Sequence, residues 1–83
     1  MIWKCFDDSR LMPEAHALAE QLANGPTRAY ALIKQALYAS SVNSLEQQLA
    51  LEVRLQREAG TSPDFREGVH AFLDKRPARF TGR

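Results

Sequence analysis

The chain has 83 residues, of which 45% are hydrophobic and 25% charged, and eleven basic against ten acidic residues leave a formal net charge of +1. This length supports one small domain, and no hydrophobic run approaches the roughly 18 residues of a membrane span. The near-balance of charge argues against capture of nucleic acid or of an anionic membrane, because both usually require a basic excess. The charged start does not resemble a secretory signal, and Cys5 is the only cysteine. Together these features predict a cytoplasmic protein without disulfides.

The first six residues, MIWKCF, form a short apolar stretch with no helical period. Such a stretch is typical of a β-strand, yet the rest of the chain offers no second strand to pair with it. A lone strand leaves its backbone groups unsatisfied. Either this segment adapts in isolation, or the chain is a piece of a larger protein. We expect the second, with residues 1–10 as the strand remnant of a preceding domain and residues 11–83 as a helical domain.

Two helices are predicted in the first half of the chain. The first is expected to begin near Pro13, because proline is favoured in a first helical turn. Asn24-Gly25 predicts its end through a left-handed residue. Pro26 then opens the second helix, which runs to about Tyr38 on a broad apolar face.

The third helix is predicted to start at a capping box of Ser44 and Gln47 and to close at Gly60. Its apolar residues spread over roughly half of the circumference, which is wider than one neighbouring helix needs. A polar row runs through this apolar stripe and needs partners if it is buried. The row either lies at a wet edge or forms a polar seam against another helix or subunit. Its members are Gln48, Glu52 and Gln56.

The fourth helix is predicted to start at Ser62-Pro63-Asp64, which combines a capping hydroxyl, a first-turn proline and a carboxylate. Gly68 lies in its middle and costs about 1 kcal/mol relative to alanine, so we interpret it as the place where another backbone passes closely. Pro77 prevents the helix from continuing.

The search for catalytic groups is mostly negative. Asp64 and Glu67 are three residues apart, and we interpret them as favourable charges at a helix N-terminus rather than as a catalytic pair. His16, His70 and Cys5 match no metal-ligand spacing. The motifs alone therefore do not describe a complete enzyme.

Basic residues cluster at the end of the chain, with aromatic residues between them. In one interpretation these residues complement the helix dipole and belong to a solvated tail. In the other they form a site for a phosphate and a base. In the second interpretation Lys75 or Arg76 pairs with phosphate while Phe72 offers a flat surface to a purine. Helical spacing predicts that residues 72, 75 and 76 share one side of the helix end. The basic residues are Lys75, Arg76, Arg79 and Arg83.

The string DFREGVHAFLDKRPARFTG, from Asp64 to Gly82, resembles the C-terminal signature of the crotonase superfamily of enoyl-CoA hydratases and isomerases. That signature has the form D-x-x-E-G-V-x-A-F-x-x-K-R-x-P-x-F, and Pro77 here comes one residue early. Upstream, MIWKCFDD is similar to the strand that closes the family's main domain, and LAEQLANGPTRAYALIKQAL resembles its helix–G-P–helix segment. LEQQLALEVRLQREAG is similar to the epoxyphenylacetyl-CoA isomerase branch of phenylacetate degradation.

The resemblance implies an all-α fold, namely a four-helix C-terminal crotonase-type oligomerisation domain with a short N-terminal strand-like segment. It implies a parent enzyme that acts on acyl-CoA through an enolate held by two backbone N–H groups, an oxyanion hole that lies outside this chain. The chain alone is therefore expected to be inactive. Coenzyme A is part of the substrate, so no separate cofactor and no metal are expected.

The resemblance also implies partners and a site. The parent is expected to be a homo-oligomer, a trimer or hexamer, and the chain alone a dimer or trimer. Carried over by motif position, Phe72 and Lys75 contact the adenine and phosphate end of a coenzyme A bound largely by an adjacent subunit. The competing interpretation is an independent helical interaction module with no catalytic parent. Neither nucleic acid nor a membrane is expected as a partner.

Overall fold

The computed structural model describes residues 2–83, and within them the chain forms four helices joined by short turns. The third helix lies in the middle, packed against the second and the fourth. The first helix has no buried residue, and residues 75–83 form neither helix nor strand. The helices are α1 (Asp8–Ala23), α2 (Thr27–Ser40), α3 (Leu45–Gly60) and α4 (Pro63–Asp74).

The predicted N-terminal strand is absent, and the predicted fold class is wrong in this respect. Residues 2–7 have no regular secondary structure, and no strand occurs in the part of the chain that the structure describes. Met1, where the predicted strand began, lies outside the described residues. The physical reason is that a strand needs an edge to pair with, and the helices offer none. The Trp3 side chain stays exposed, with the Lys4 ammonium 4.9 Å from its ring centre.

Capping explains where α3 and α4 begin, and both predicted starts are confirmed. The backbone N–H of Gln47 donates to the Ser44 hydroxyl at 3.2 Å, and the Ser44 N–H donates to the Gln47 side-chain oxygen at 2.8 Å. In α4 the N–H of Phe65 donates to the Ser62 hydroxyl at 3.1 Å, and Pro63 occupies the first turn. Each cap satisfies backbone donors that have no partner inside the helix.

The first helix differs from its predicted start. It begins at Asp8, so that Pro13 lies inside it rather than in its first turn. Acidic residues before the proline favour an earlier start at the positive helix end. An ion pair of 3.0 Å between Arg10 and Glu14 spans the proline position from one turn to the next.

The predicted left-handed stop between α1 and α2 is also wrong. Asn24 has right-handed helical angles (φ −88°, ψ −2°), and Gly25 has no positive φ. A Cβ atom at residue 25 would lie 2.8 Å from Cζ of Tyr30, so a larger residue there would require the Tyr30 side chain to move. The Tyr30 ring thus packs closely on the turn at Gly25.

The predicted polar row is divided, because only Gln48 forms a hydrogen bond to α2, whereas Glu52 and Gln56 are exposed, as the wet-edge interpretation predicted. The Gln48 side chain donates to the backbone oxygen of Ala36 at 3.1 Å and accepts from the Asn43 side chain at 3.1 Å. An ion pair of 3.0 Å between Arg28 and Glu58 ties the same two helices together further along. The Gln48 side chain thus links the first part of α3 to the backbone of Ala36 in α2.

The helices form a flat layer rather than a closed core. The molecule measures 45 × 38 × 17 Å. A compact chain of this length has a radius of gyration of about 12 Å, whereas this structure has 16.0 Å. Its accessible surface is 7115 Å², against about 5,000 Å² for a compact monomer of this mass. The buried apolar residues among those described are Leu32, Leu55 and Ala71.

Candidate functional site

The candidate site lies where α4 ends in a left-handed turn at Lys75. This residue has φ 53° and ψ 44°, and no other described residue except a glycine has a positive φ. Its N–H donates to the oxygen of Phe72 at 3.3 Å, and the N–H of Arg76 donates to the oxygen of Ala71 at 3.0 Å. This is the hydrogen-bond pattern of a Schellman cap, in which the left-handed position is usually glycine. A lysine there is unfavourable by about 1 kcal/mol.

The helix ends at Asp74, so residues 75 and 76 are not helical. The prediction that they share one side of the helix with residue 72 is therefore wrong. The Arg76 side chain turns back along α4 and forms two hydrogen bonds with Glu67, of 2.8 and 3.0 Å. The hydrogen bond from Arg76 lowers the pKa of Glu67 to about 2, and the same bond raises the pKa of Arg76. Arg76 is therefore already paired, which leaves Lys75 as the candidate phosphate ligand.

Asp64 holds the end of the chain against the start of α4. Its carboxylate is buried and accepts hydrogen bonds from the N–H of Thr81 at 2.8 Å and from the N–H of Gly82 at 2.7 Å. Its own N–H donates to the oxygen of Arg83 at 3.0 Å. The N–H of Thr81 is the main cause of a lowered pKa for Asp64. Asp64 thus binds a distant segment and does more than favour the helix dipole, which was our sequence interpretation.

The segment held in this way, residues 76–83, is called the strap. Glu67 also accepts a hydrogen bond from the N–H of Arg79 at 2.7 Å, so Asp64 and Glu67 both bind strap backbone. A Cβ atom at Gly68 would lie 3.6 Å from the Phe80 ring of the strap, which is an ordinary van der Waals contact. The prediction that another backbone passes closely at Gly68 is therefore wrong. The sequence signal for this attachment of the strap is the D-x-x-E-G spacing followed by a basic and aromatic tail. The sequence analysis did not predict the attachment.

One face of α4 remains apolar and exposed, and we call it the α4 apolar face. It borders a groove of about 410 Å³ that also includes Pro26 at the start of α2 and Phe80 of the strap. Phe72 has 82% of its surface exposed, and Lys75 forms no ion pair with any residue from 2 to 83. A flat ring and a cation are thus both accessible at one end of α4. The α4 apolar face consists of Phe65, Val69, Phe72 and Leu73.

Other kinds of site find little support. Among residues 2–83, no group of three or more His, Cys, Asp or Glu side chains is arranged to hold a metal ion. Cys5 is exposed and unpaired. None of the described helices is long and apolar enough to cross a membrane.

Comparison with known proteins gives a consistent result. A family model described as enoyl-CoA hydratase/isomerase matches residues 1–83. The chain is 52% identical over 83 residues to a Rhodobacter capsulatus protein named "Probable enoyl-CoA hydratase". It is 51% identical over the same length to the 1,2-epoxyphenylacetyl-CoA isomerase of Escherichia coli. A crystal structure of an enoyl-CoA hydratase from Geobacillus kaustophilus superimposes with a TM-score of 0.87 at 31% identity over 94% of this chain.

The chain spans only about a third of these relatives, namely 32% of both curated proteins and 30% of the solved chain. The comparisons do not place that third in a C-terminal domain. The predicted fold class, a four-helix C-terminal oligomerisation domain with a strand-like lead, is therefore corrected to a purely helical segment of the matched fold.

Proposed function

The chain belongs to the enoyl-CoA hydratase/isomerase family, and from this membership we propose that it is a helical segment of an enzyme acting on acyl-CoA thioesters. In that enzyme an enolate would be stabilised by an oxyanion hole of two backbone N–H groups outside these residues. Coenzyme A would enter as part of the substrate, and no separate cofactor is proposed. The observation that carries this proposal is the family match along the whole chain.

We propose that the segment has two roles in the enzyme. The first is to build a homo-oligomer, and the exposed α4 apolar face supports it because large apolar patches mark interfaces. The second is to cover the coenzyme A site of an adjacent subunit. A segment with both roles needs exposed surface with which to contact other subunits and the coenzyme A site. The flat shape of this structure leaves such surface exposed. The family match along residues 1–83 disfavours the competing idea of an independent interaction module.

At the coenzyme A site, we propose that Phe72 shields the adenine while Lys75 donates to a phosphate. The support is the 82% exposure of Phe72 and the unpaired cation beside it. A charge-assisted contact contributes about 1.5–3 kcal/mol, and stacking on a base about 1–3 kcal/mol. The left-handed conformation of Lys75 adds support, because unfavourable backbone geometry is often retained where a side chain has a function.

Within the family we propose the epoxyphenylacetyl-CoA isomerase branch. The support is the identity of 51% to the Escherichia coli isomerase, although the similarity to the Rhodobacter capsulatus protein is equally high. Assays of the full-length enzyme with epoxyphenylacetyl-CoA and with a straight-chain enoyl-CoA would decide between isomerase and hydratase. A preference for hydration of the straight-chain substrate would contradict the branch assignment.

The coenzyme A contact is tested by Lys75→Ala in the full-length enzyme. We expect the KM for acyl-CoA to rise several-fold with little change in kcat, because phosphate binding is equal in the ground and transition states. Lys75→Gly should raise KM as much as Lys75→Ala does, while it keeps the left-handed turn. Agreement between the two variants separates the loss of the ammonium group from a change in fold. Lys34→Ala, at an exposed lysine of α2, is the matched control and should leave KM unchanged.

Two results would contradict the proposed contact. One is an unchanged KM in Lys75→Ala. The other is an equal effect on an acyl-CoA and on its truncated pantetheine analogue, which lacks the adenine and its phosphates. In either case Lys75 would only complement the dipole at the end of α4.

A further inference from the structure

We propose that Glu67 is a positioning residue for Lys75, acting through Arg76 and the strap. The inference rests on the proposed function of Lys75 as a phosphate ligand. It adds a residue about two turns back along α4, and the role of this residue is to fix the direction in which the Lys75 side chain leaves the helix end.

The geometry around Lys75 carries this inference. A left-handed lysine is intrinsically unfavourable, so neighbouring contacts must hold the turn. On its N-terminal side the turn is held by the hydrogen bond of 3.3 Å from Lys75 to the oxygen of Phe72. On its C-terminal side the Arg76 guanidinium is held by hydrogen bonds of 2.8 and 3.0 Å to both carboxylate oxygens of Glu67. Planar, two-point contacts of this kind restrict orientation more than a single contact does.

Glu67 also determines which cation is available. Its carboxylate accepts three hydrogen bonds, two from Arg76 and one of 2.7 Å from the N–H of Arg79. A carboxylate with this many donors stays ionised at neutral pH, and its lowered pKa agrees with this. Arg76 is neutralised by the pair, whereas Lys75 is not. Of the two adjacent cations at the end of α4, Glu67 thus pairs Arg76 and leaves Lys75 accessible to an incoming phosphate.

The test is Glu67→Gln in the full-length enzyme. The amide keeps the size of the side chain but can no longer accept both guanidinium hydrogen bonds. We expect the KM for acyl-CoA to rise several-fold at unchanged kcat, with no such rise for the truncated pantetheine analogue. Glu58→Gln is the matched control: it removes the same charge from a partly exposed ion pair of 3.0 Å with Arg28 and should leave KM unchanged.

A double-mutant cycle with Lys75→Ala gives the decisive readout. If Glu67 acts through Lys75, then Glu67→Gln will not raise KM further once the lysine is gone. Effects that multiply in the double variant would overturn the inference, because Glu67 would then act independently of Lys75. The inference is also overturned if Lys75→Ala raises KM and Glu67→Gln does not. If Lys75→Ala itself leaves KM unchanged, the proposed contact fails together with this inference.

Discussion

Lys75 occupies a backbone conformation that is unfavourable for a residue with a Cβ atom. Its left-handed conformation is one that glycine adopts freely and that a residue with a Cβ atom does not. The hydrogen bonds of the Schellman cap need only the backbone of residue 75. The side chain therefore contributes nothing to the cap itself, and substitutions at this position separate backbone preference from side-chain function.

Lys75→Gly is expected to raise the free energy of unfolding by about 1 kcal/mol, because glycine removes the unfavourable contact of Cβ in the left-handed region. Lys75→Ala keeps the Cβ atom and should leave the free energy of unfolding nearly unchanged. Urea unfolding of the three proteins at one protein concentration measures both effects. A Lys75→Gly protein that is no more stable than the original would show that residue 75 is not held in a left-handed turn in solution.

The strap and α4 form a unit that depends on two carboxylates. Asp64 binds the strap near its end and Glu67 binds it near its start, while Phe80 packs over Gly68 between them. Both carboxylates have a pKa below its ordinary value because strap groups donate hydrogen bonds to the charged form. Attachment of the strap is therefore linked to pH.

The sign of this linkage follows from the direction of the shifts. A carboxyl group with a lowered pKa in the folded state stabilises that state above its ordinary pKa and loses this effect as pH falls through the folded value. For Glu67 the interval runs from 4.5 down to about 2, and for Asp64 it begins at 3.8. We expect the strap to stay attached at neutral pH and to loosen only in this acidic interval.

Amide proton chemical shifts of Arg79, Thr81 and Gly82, followed by NMR from neutral pH downward, measure this loosening. The midpoint should lie near pH 2 for Arg79, which donates to Glu67, and below 3.8 for Thr81 and Gly82, which donate to Asp64. The amide of Gln47 is the internal control, because its acceptor is the Ser44 hydroxyl, which does not titrate. Midpoints at the ordinary values of 4.5 and 3.8 would show that the carboxylates do not bind the strap.

The molecule as a whole exposes about 2,000 Å² more surface than a compact monomer of its mass. A standard protein interface buries about 800 Å² on each partner, so the excess is enough for more than one contact. Exposed large apolar side chains occur on all four helices, including α4 and one side of α3. The exposed side of α3 consists of Leu45, Leu49 and Val53.

We therefore expect the chain by itself to form a dimer or trimer at micromolar concentration, measured by light scattering. Leu49→Glu should shift the equilibrium toward monomer, because it places a charge in the middle of the exposed α3 stripe. Arg54→Glu, which changes charge at an exposed position on the same helix, is the control and should have a smaller effect. A monodisperse species of 9.4 kDa across this range would contradict the prediction.

Local signals in the sequence were sufficient to predict the helices of this protein. The capping residues Ser44 and Ser62 act within three residues of themselves, and apolar spacing acts within four, so both can be identified without a fold. The start of α1 was predicted less well, because the helix contains Pro13 in its interior, whereas local rules place proline in a first turn.

Tertiary structure alone decided the contacts between distant residues and the shape of the whole chain. The partners Glu67 and Arg76 are nine residues apart, and Asp64 and Gly82 are 18 apart. Such pairs meet only because the chain reverses at the left-handed Lys75, a conformation that sequence patterns do not predict for lysine. The predicted strand failed for the same physical reason, since its existence depends on a partner edge that no local signal can supply.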